Sequence, residues 1–146
     1  MRKRPLILAV DDEPVILKTL NDSLVAEGFR VITAPNATSA LFLLGKHNPD
    51  LVLLDIMMPN INGFQALEMI REQSNVPVIM LTCVDKETGI EKTMVELGAD
   101  GYVTKPYSLE ILIALIKAKL RRATGVSQSL GRAPAYHEEN VTYDKQ

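Results

Sequence analysis

Short apolar runs alternate five times with longer segments of helical period, and few architectures accommodate that order. The runs Leu6 to Val10, Arg30 to Ala34, Asp50 to Leu54, Val78 to Thr82 and Gly101 to Thr104 read as strands. Three of them contain the unbroken apolar stretches LILAV, LVLL and VIML, as central strands covered on both faces must; RVITA is mixed and suits an edge. Pro14 stands at a first helical position, and Ile16, Leu20 and Leu24 recur every four residues until Gly28 stops the helix. Further helices are expected at Ala37 to Lys46, Phe64 to Glu72, Lys86 to Leu97 and Leu109 to Arg122. The (βα)5 order implies an α/β fold, a doubly wound parallel sheet with right-handed crossovers and helices on both faces.

Composition narrows the function classes. Sixteen basic and 18 acidic residues give a net charge of -2, so no overall positive field exists to hold nucleic acid or an anionic membrane surface. No stretch approaches the ~20 apolar residues of a membrane span. The basic start is followed by an apolar run from Leu6 to Val10 only, too short for a signal peptide. Cys83 is the single cysteine, which precludes an internal disulfide framework and fits a reducing compartment. A soluble, cytoplasmic protein is expected.

In open α/β sheets the ligand site lies beyond the carboxyl ends of the strands. Asp11-Asp12-Glu13 follows the first strand directly, and Asp55 follows the third. If those strands are neighbours, three or four carboxylates converge in one crevice, and like charges so crowded raise one another's pKa unless a cation answers them. An all-oxygen set with neither histidine nor the cysteine in it suits Mg2+ better than Zn2+. Capping of the first helix would account for one acid there, but not for the pair together with Asp55. The fourth strand ends in Thr82, a hydroxyl donor, and the fifth is followed by Lys105-Pro106, a countercharge next to a bond that can be cis.

These residues resemble the receiver domain of two-component response regulators. The resemblance rests on Asp-Asp-Glu near the start, D-x-M-M-P-x-x-x-G from Asp55 to Gly63, Leu81-Thr82, and G-A-D-x-Y-x-T-K-P-Y from Gly98 to Tyr107, and it spans Pro5 to Arg122. It implies a flavodoxin-like receiver fold of strand order 2-1-3-4-5, which makes strands one and three neighbours. It further implies that Asp55 takes a phosphoryl group from a sensor histidine kinase. Asp12, Asp55 and the Met57 carbonyl would hold Mg2+ directly and Asp11 chiefly through water, while Lys105 and Thr82 bind phosphoryl oxygens. Thr82 and Tyr102 would form the switch that alters the face made by helix four, strand five and helix five. A haloacid-dehalogenase-like phosphotransferase would instead carry its nucleophile after the first strand in a D-x-D setting. The complete acid, Thr and Lys set argues against a receiver-like fold used only for protein binding.

Leu81-Thr82, Lys105-Pro106-Tyr107 and Leu120-Arg121-Arg122 resemble the OmpR/PhoB winged-helix transcription-factor subfamily, whose members pair through helix four, strand five and helix five with charged residues. Here Gly101, Ile111 and Leu115 replace the usual charges. Ile111, Leu115 and Ala118 are therefore expected to form an apolar strip beside the core stripe Leu109, Leu112, Ile113, Ile116 and Leu120, serving as a partner or homodimer face. Cys83 stands where a small residue is common, so the lifetime of an acyl phosphate is expected to depend on it.

Residues 1–122 are thus read as a receiver, and 123–146 as a linker or tail. Glu139 to Asp144 resemble the opening strand of a winged-helix domain. DNA binding is accordingly expected of a C-terminal domain missing from this chain, and not of residues 1–146 themselves.

Overall fold

The computed structural model describes residues 4–58, 60–83 and 90–123, with side chains from 92 onward in the last segment. Strands β1 (Leu6–Val10), β2 (Arg30–Ala34), β3 (Leu51–Asp55), β4 (Val78–Thr82) and β5 (Gly101–Thr104) alternate with helices α1 (Pro14–Ala26), α2 (Ala37–His47), α3 (Gly63–Arg71), α4 (Ile90–Glu96) and α5 (Leu109–Ala123). All strand pairs are parallel and the order is β2-β1-β3-β4-β5, so the acid-bearing strands β1 and β3 lie side by side. Most expected boundaries hold to within a residue. The expected start of the fourth helix at Lys86 and the tail after Ala123 fall outside the described residues.

Alternation along the strands divides the core. Leu8, Val10, Val52, Leu54, Val78 and Met80 face one way, against Ala40 and Leu44 of α2, Leu67 and Ile70 of α3 and Met94 of α4. Ile7, Ala9, Leu51, Leu53, Ile79, Leu81 and Val103 face the other, against Leu17, Leu20 and Leu24 of α1 and Leu112, Leu115 and Ile116 of α5. Every residue of β1, β3 and β4 is buried, the signature of parallel strands covered on both faces.

Strand β3 begins one residue later than its apolar pattern suggests. Asp50 lies outside it because its carboxylate accepts the Leu6 N–H at 2.8 Å, while its own N–H donates to the Leu6 carbonyl at 2.8 Å. The shift makes Asp55 the last strand residue, paired in register with Leu81, and no longer the first residue of a loop.

Helix α5 departs from expectation more consequentially. Leu115 is 2% exposed and Ala118 8%, so neither belongs to an outward strip; of the three residues expected there only Ile111, at 41%, faces solvent. Gly101 on β5 lies beneath this part of the helix. A Cβ at that position would lie 3.7 Å from Leu115 Cδ2 and 3.3 Å from Lys119 Cε. The face of α5 that packs inward carries Leu112, Leu115, Ile116, Ala118 and Lys119.

At the amino end of the sheet, Arg71 staples two loops. Its Nη1 donates to the Val76 carbonyl at 2.7 Å, its Nε and Nη2 to the Gly98 carbonyl at 3.0 and 2.9 Å, and Nη2 also to Asp100 Oδ2 at 2.8 Å. The same Asp100 oxygen accepts the Val78 N–H at 2.8 Å, which fixes where β4 begins.

Candidate phosphoacceptor and metal site

At the opposite, carboxyl end, the β1–α1 turn carries Asp11 and Asp12. The Asp11 N–H donates to the Ala34 carbonyl at 3.1 Å, which ties the turn to the end of β2. Glu13 is the residue that precedes α1, and its side chain makes no capping bond; Asp11 Oδ1 instead accepts the Glu13 N–H at 2.9 Å. Helix capping therefore does not account for the acids. Oxygens of Asp11, Asp12 and Asp55 all lie within 4.8 Å of one another, with Asp11 and Asp55 buried and Asp12 exposed.

Lys105 reaches into this group from the β5–α5 loop. Its Nζ lies 3.2 Å from Asp55 Oδ1 and 3.7 Å from Asp11 Oδ2. The loop is positioned by a 2.6 Å bond from the Lys105 N–H to the Thr82 carbonyl and by a cis peptide between Lys105 and Pro106. Asp11 Oδ2 is buried without a hydrogen-bond partner, an acceptor aimed into the cluster.

Burial pushes Asp11 above the usual carboxylate range; the Glu13 N–H opposes this, Asp55 adds to it, and Lys105 opposes it too. Asp55 is likewise raised by burial, against the lowering effects of Lys105 and the Met57 N–H. Burial by itself would lower Lys105, but Asp55 and Asp11 outweigh it and hold the ammonium charged. One lysine thus faces three carboxylates. The set retains an excess of negative charge and an unfilled oxygen acceptor, the donor chemistry a hard divalent cation takes.

Thr82 ends β4 beside β3 and is 1% exposed. Tyr102, on the edge strand β5, is half-buried against the core that includes Met94 and Met80. Met57 follows β3 and is 56% exposed. Cys83 is exposed, one residue beyond Thr82.

The match to known proteins agrees with this geometry. A family profile described as the response regulator receiver domain covers residues 7–117. The chain belongs to that family. Among curated relatives, a probable transcriptional regulator, ycf27, of Galdieria sulphuraria is 46% identical over 126 residues, 84% of this chain and 48% of its own length. The Pyropia yezoensis protein of the same description is 44% identical, over 86% of this chain and 51% of its own length. This receiver chain therefore spans about half the length of the curated relatives it matches. Among solved structures, the Francisella response regulator 1452 receiver domain is 33% identical with a TM-score of 0.75, over 82% of this chain and 98% of that one. The BeF3-activated N-terminal receiver domain of Klebsiella pneumoniae RstA is 29% identical with a TM-score of 0.74, over 80% and 98%.

Two residues of the receiver's site carry more than their sequence signal suggested. Gly63 opens α3 so close to the end of β3 that a Cβ would sit 2.5 Å from Ile56 Cα and 2.6 Å from the Asp55 carbonyl oxygen. Its position in the D-x-M-M-P-x-x-x-G motif was the available clue. Tyr107 is half-buried beneath the lysine loop; burial raises its pKa, Lys105 opposes that, and Asp11 and Asp55 add to it. Its only signal was its place directly after Lys105-Pro106.

Proposed function

We propose that Asp55 is the phosphoacceptor of a two-component switch, fed by the phosphohistidine of a sensor histidine kinase. The observation that carries this reading is the meeting of Asp11, Asp12 and Asp55 within 4.8 Å, with Lys105 Nζ 3.2 Å from Asp55, in a receiver chain. The P–N bond of the donor breaks, an Asp55 Oδ–P bond forms, and the released imidazole nitrogen takes a proton. Such a transfer proceeds through a loose transition state, so the residues contribute position and charge more than covalent chemistry. Asp11, Asp12, Asp55 and the Met57 carbonyl would hold Mg2+, which neutralises charge on the phosphoryl oxygens when bound. Lys105 exchanges its contact with Asp55 for one with a phosphoryl oxygen, and the Thr82 hydroxyl donates to another.

The added group brings about -1.5 to -2 charges and three strong acceptors. Thr82 and Tyr102 respond by moving inward, and the α4, β5 and α5 surface changes with them, shifting an equilibrium between two states. The protein converts no metabolite; it assists its own phosphorylation and the hydrolysis of the acyl phosphate, which returns the Asp55 carboxylate and releases inorganic phosphate.

The output is transcription in the cytoplasm, by homodimers formed through α4, β5 and α5. Residues 1–122 supply the receiver, and 123–146 lead to a DNA-binding winged helix that these residues do not include. No described helix is long and apolar enough to cross a membrane. A stand-alone receiver that signals by protein contact is the second reading, favoured by the described residues forming a complete (βα)5 unit on their own.

Incubation with Mg2+ and a small acyl phosphate, followed by intact-mass measurement, tests the core of the proposal. One added phosphoryl group, lost in Asp55→Asn, is expected. An unmodified wild-type mass with every donor tried would overturn it.

A further inference from the structure

Of the five strands, β5 is the least able to fix its own register. It lies at the edge of the sheet beside β4, it opens on Gly101, and of its four residues only Val103 is buried. Strands so lightly patterned are prone to slip, and a slip of one residue would turn Val103 outward and carry Lys105 about 3.3 Å along the sheet, away from Asp55. Hydrogen bonds at the two ends of β5 supply what its apolar pattern lacks. At the carboxyl end the Lys105 N–H donates to the Thr82 carbonyl at 2.6 Å. At the amino end Asp100 clasps Val78 twice: its N–H donates to the Val78 carbonyl at 2.8 Å, and its Oδ2 accepts the Val78 N–H at 2.8 Å.

Arg71 holds that clasp in place. Its Nη2 donates to the same Asp100 oxygen at 2.8 Å, its Nε and Nη2 to the Gly98 carbonyl at 3.0 and 2.9 Å, and its Nη1 to the Val76 carbonyl at 2.7 Å. A planar guanidinium so engaged fixes directions as well as distances, which a lysine ammonium does not. Arg71 is also the last residue of α3, whose first residue, Gly63, abuts Asp55 and Ile56. One helix thus ties the start of β5 to the backbone around Asp55. We propose that Arg71 and Asp100 are positioning residues for phosphoryl transfer: they set the register of β5 on β4 and thereby place Lys105, roughly 16 Å along the strand from Asp100, against Asp55. Neither residue touches the reacting atoms. Their bearing on the reaction rests on Asp55 being the phosphoacceptor; the register does not.

Two measurements on the 146-residue chain test this. In amide hydrogen exchange without a phosphodonor, Arg71→Met should accelerate Lys105 along with Val78 and Asp100, by a larger factor than Ala9 and Leu53 of the inner strands. Acceleration confined to Val78 and Asp100, or equal at all five amides, overturns the proposal. In phosphoryl uptake from a small acyl phosphate with Mg2+, Arg71→Met should slow the rate at saturating donor by about tenfold or more, since a misplacement of about 1 Å can cost about 100-fold. Arg71→Lys, which keeps the charge without the fork, should not restore it. In a Lys105→Met background the same Arg71→Met change should have little further effect. Equal slowing in both backgrounds, or an unchanged rate in the first, overturns the proposal, because Arg71 would then not act through Lys105. If Arg71→Met does not fold, Asp100→Asn, which keeps an acceptor for the Val78 N–H and loses the charged pair, should give the same pattern. A wild type that takes up no phosphoryl group would remove the phosphoacceptor reading instead, and the exchange result would then decide the register alone.

Discussion

Lys105 Nζ stands 3.2 Å from Asp55 Oδ1, a contact between residues 50 apart in sequence that closes the β5–α5 loop over the end of β3. Burial and like charge raise Asp55 and Asp11, and the Lys105 ammonium opposes that rise in both. Lys105→Met should therefore destabilise the protein at pH 7 by about 1–2 kcal/mol, less than the 3–5 of a fully buried pair because this lysine is partly exposed. Urea unfolding without divalent cations at pH 7 and at pH 4 checks this. The penalty should shrink at the lower pH, where the carboxylates protonate and no longer need the countercharge.

Asp11 makes the opposite case. Its folded pKa lies above the ordinary value of 3.8, so the folded state binds its proton more tightly than the unfolded chain does. Stability from this group is present below pH 3.8 and is lost as pH rises through the raised folded pKa. Asp11→Asn should thus raise the melting temperature at pH 7 in a chelator, and the gain should fade as pH drops toward 4. Mg2+ at ten times its Kd should stabilise the wild type by about 1.4 kcal/mol and the variant by less, measurable as thermal shifts with and without the metal.

Gly63 has no room for a side chain. With its Cβ position 2.5 Å from Ile56 Cα, Gly63→Ala must push α3 away from the end of β3 and displace Asp55 and Met57 with it. A loss of about 2–3 kcal/mol is expected, in the range of overpacking. Phosphoryl uptake from a small donor should fall along with it. An unaltered urea midpoint would show that the loop yields freely.

Much of this molecule is legible in its sequence, because period and spacing report directly on burial. LILAV, LVLL and VIML announce central strands, and the acids, Thr82 and Lys105 fall at strand ends where any parallel sheet concentrates chemistry. What period could not report is what depends on a neighbour from elsewhere in the chain. Asp50 leaves the β3 ladder for Leu6, Arg71 gives its guanidinium to Gly98 and Asp100, and α5 lays Leu115 and Lys119 over Gly101 of β5. A helix with apolar residues on two sides admits more than one buried stripe, and the sheet beneath it chooses.

That choice separates Leu115 from Ile111 experimentally. Leu115 is buried among Leu112, Ile116 and the β4 and β5 residues, so Leu115→Ala should cost about 2–5 kcal/mol, as large-to-small core changes do. Ile111 projects from the same helix at 41% exposure and should tolerate Ile111→Glu within about 0.5 kcal/mol. If α5 contributes to a homodimer face, Ile111→Glu should weaken association at unchanged melting temperature. Leu115→Ala should instead lower the melting temperature first and alter association only as the fold loosens. Analytical ultracentrifugation alongside thermal unfolding distinguishes the two. Equal stability of Leu115→Ala and wild type would mean that α5 presents Leu115 outward after all, and would restore the strip that its sequence alone suggested.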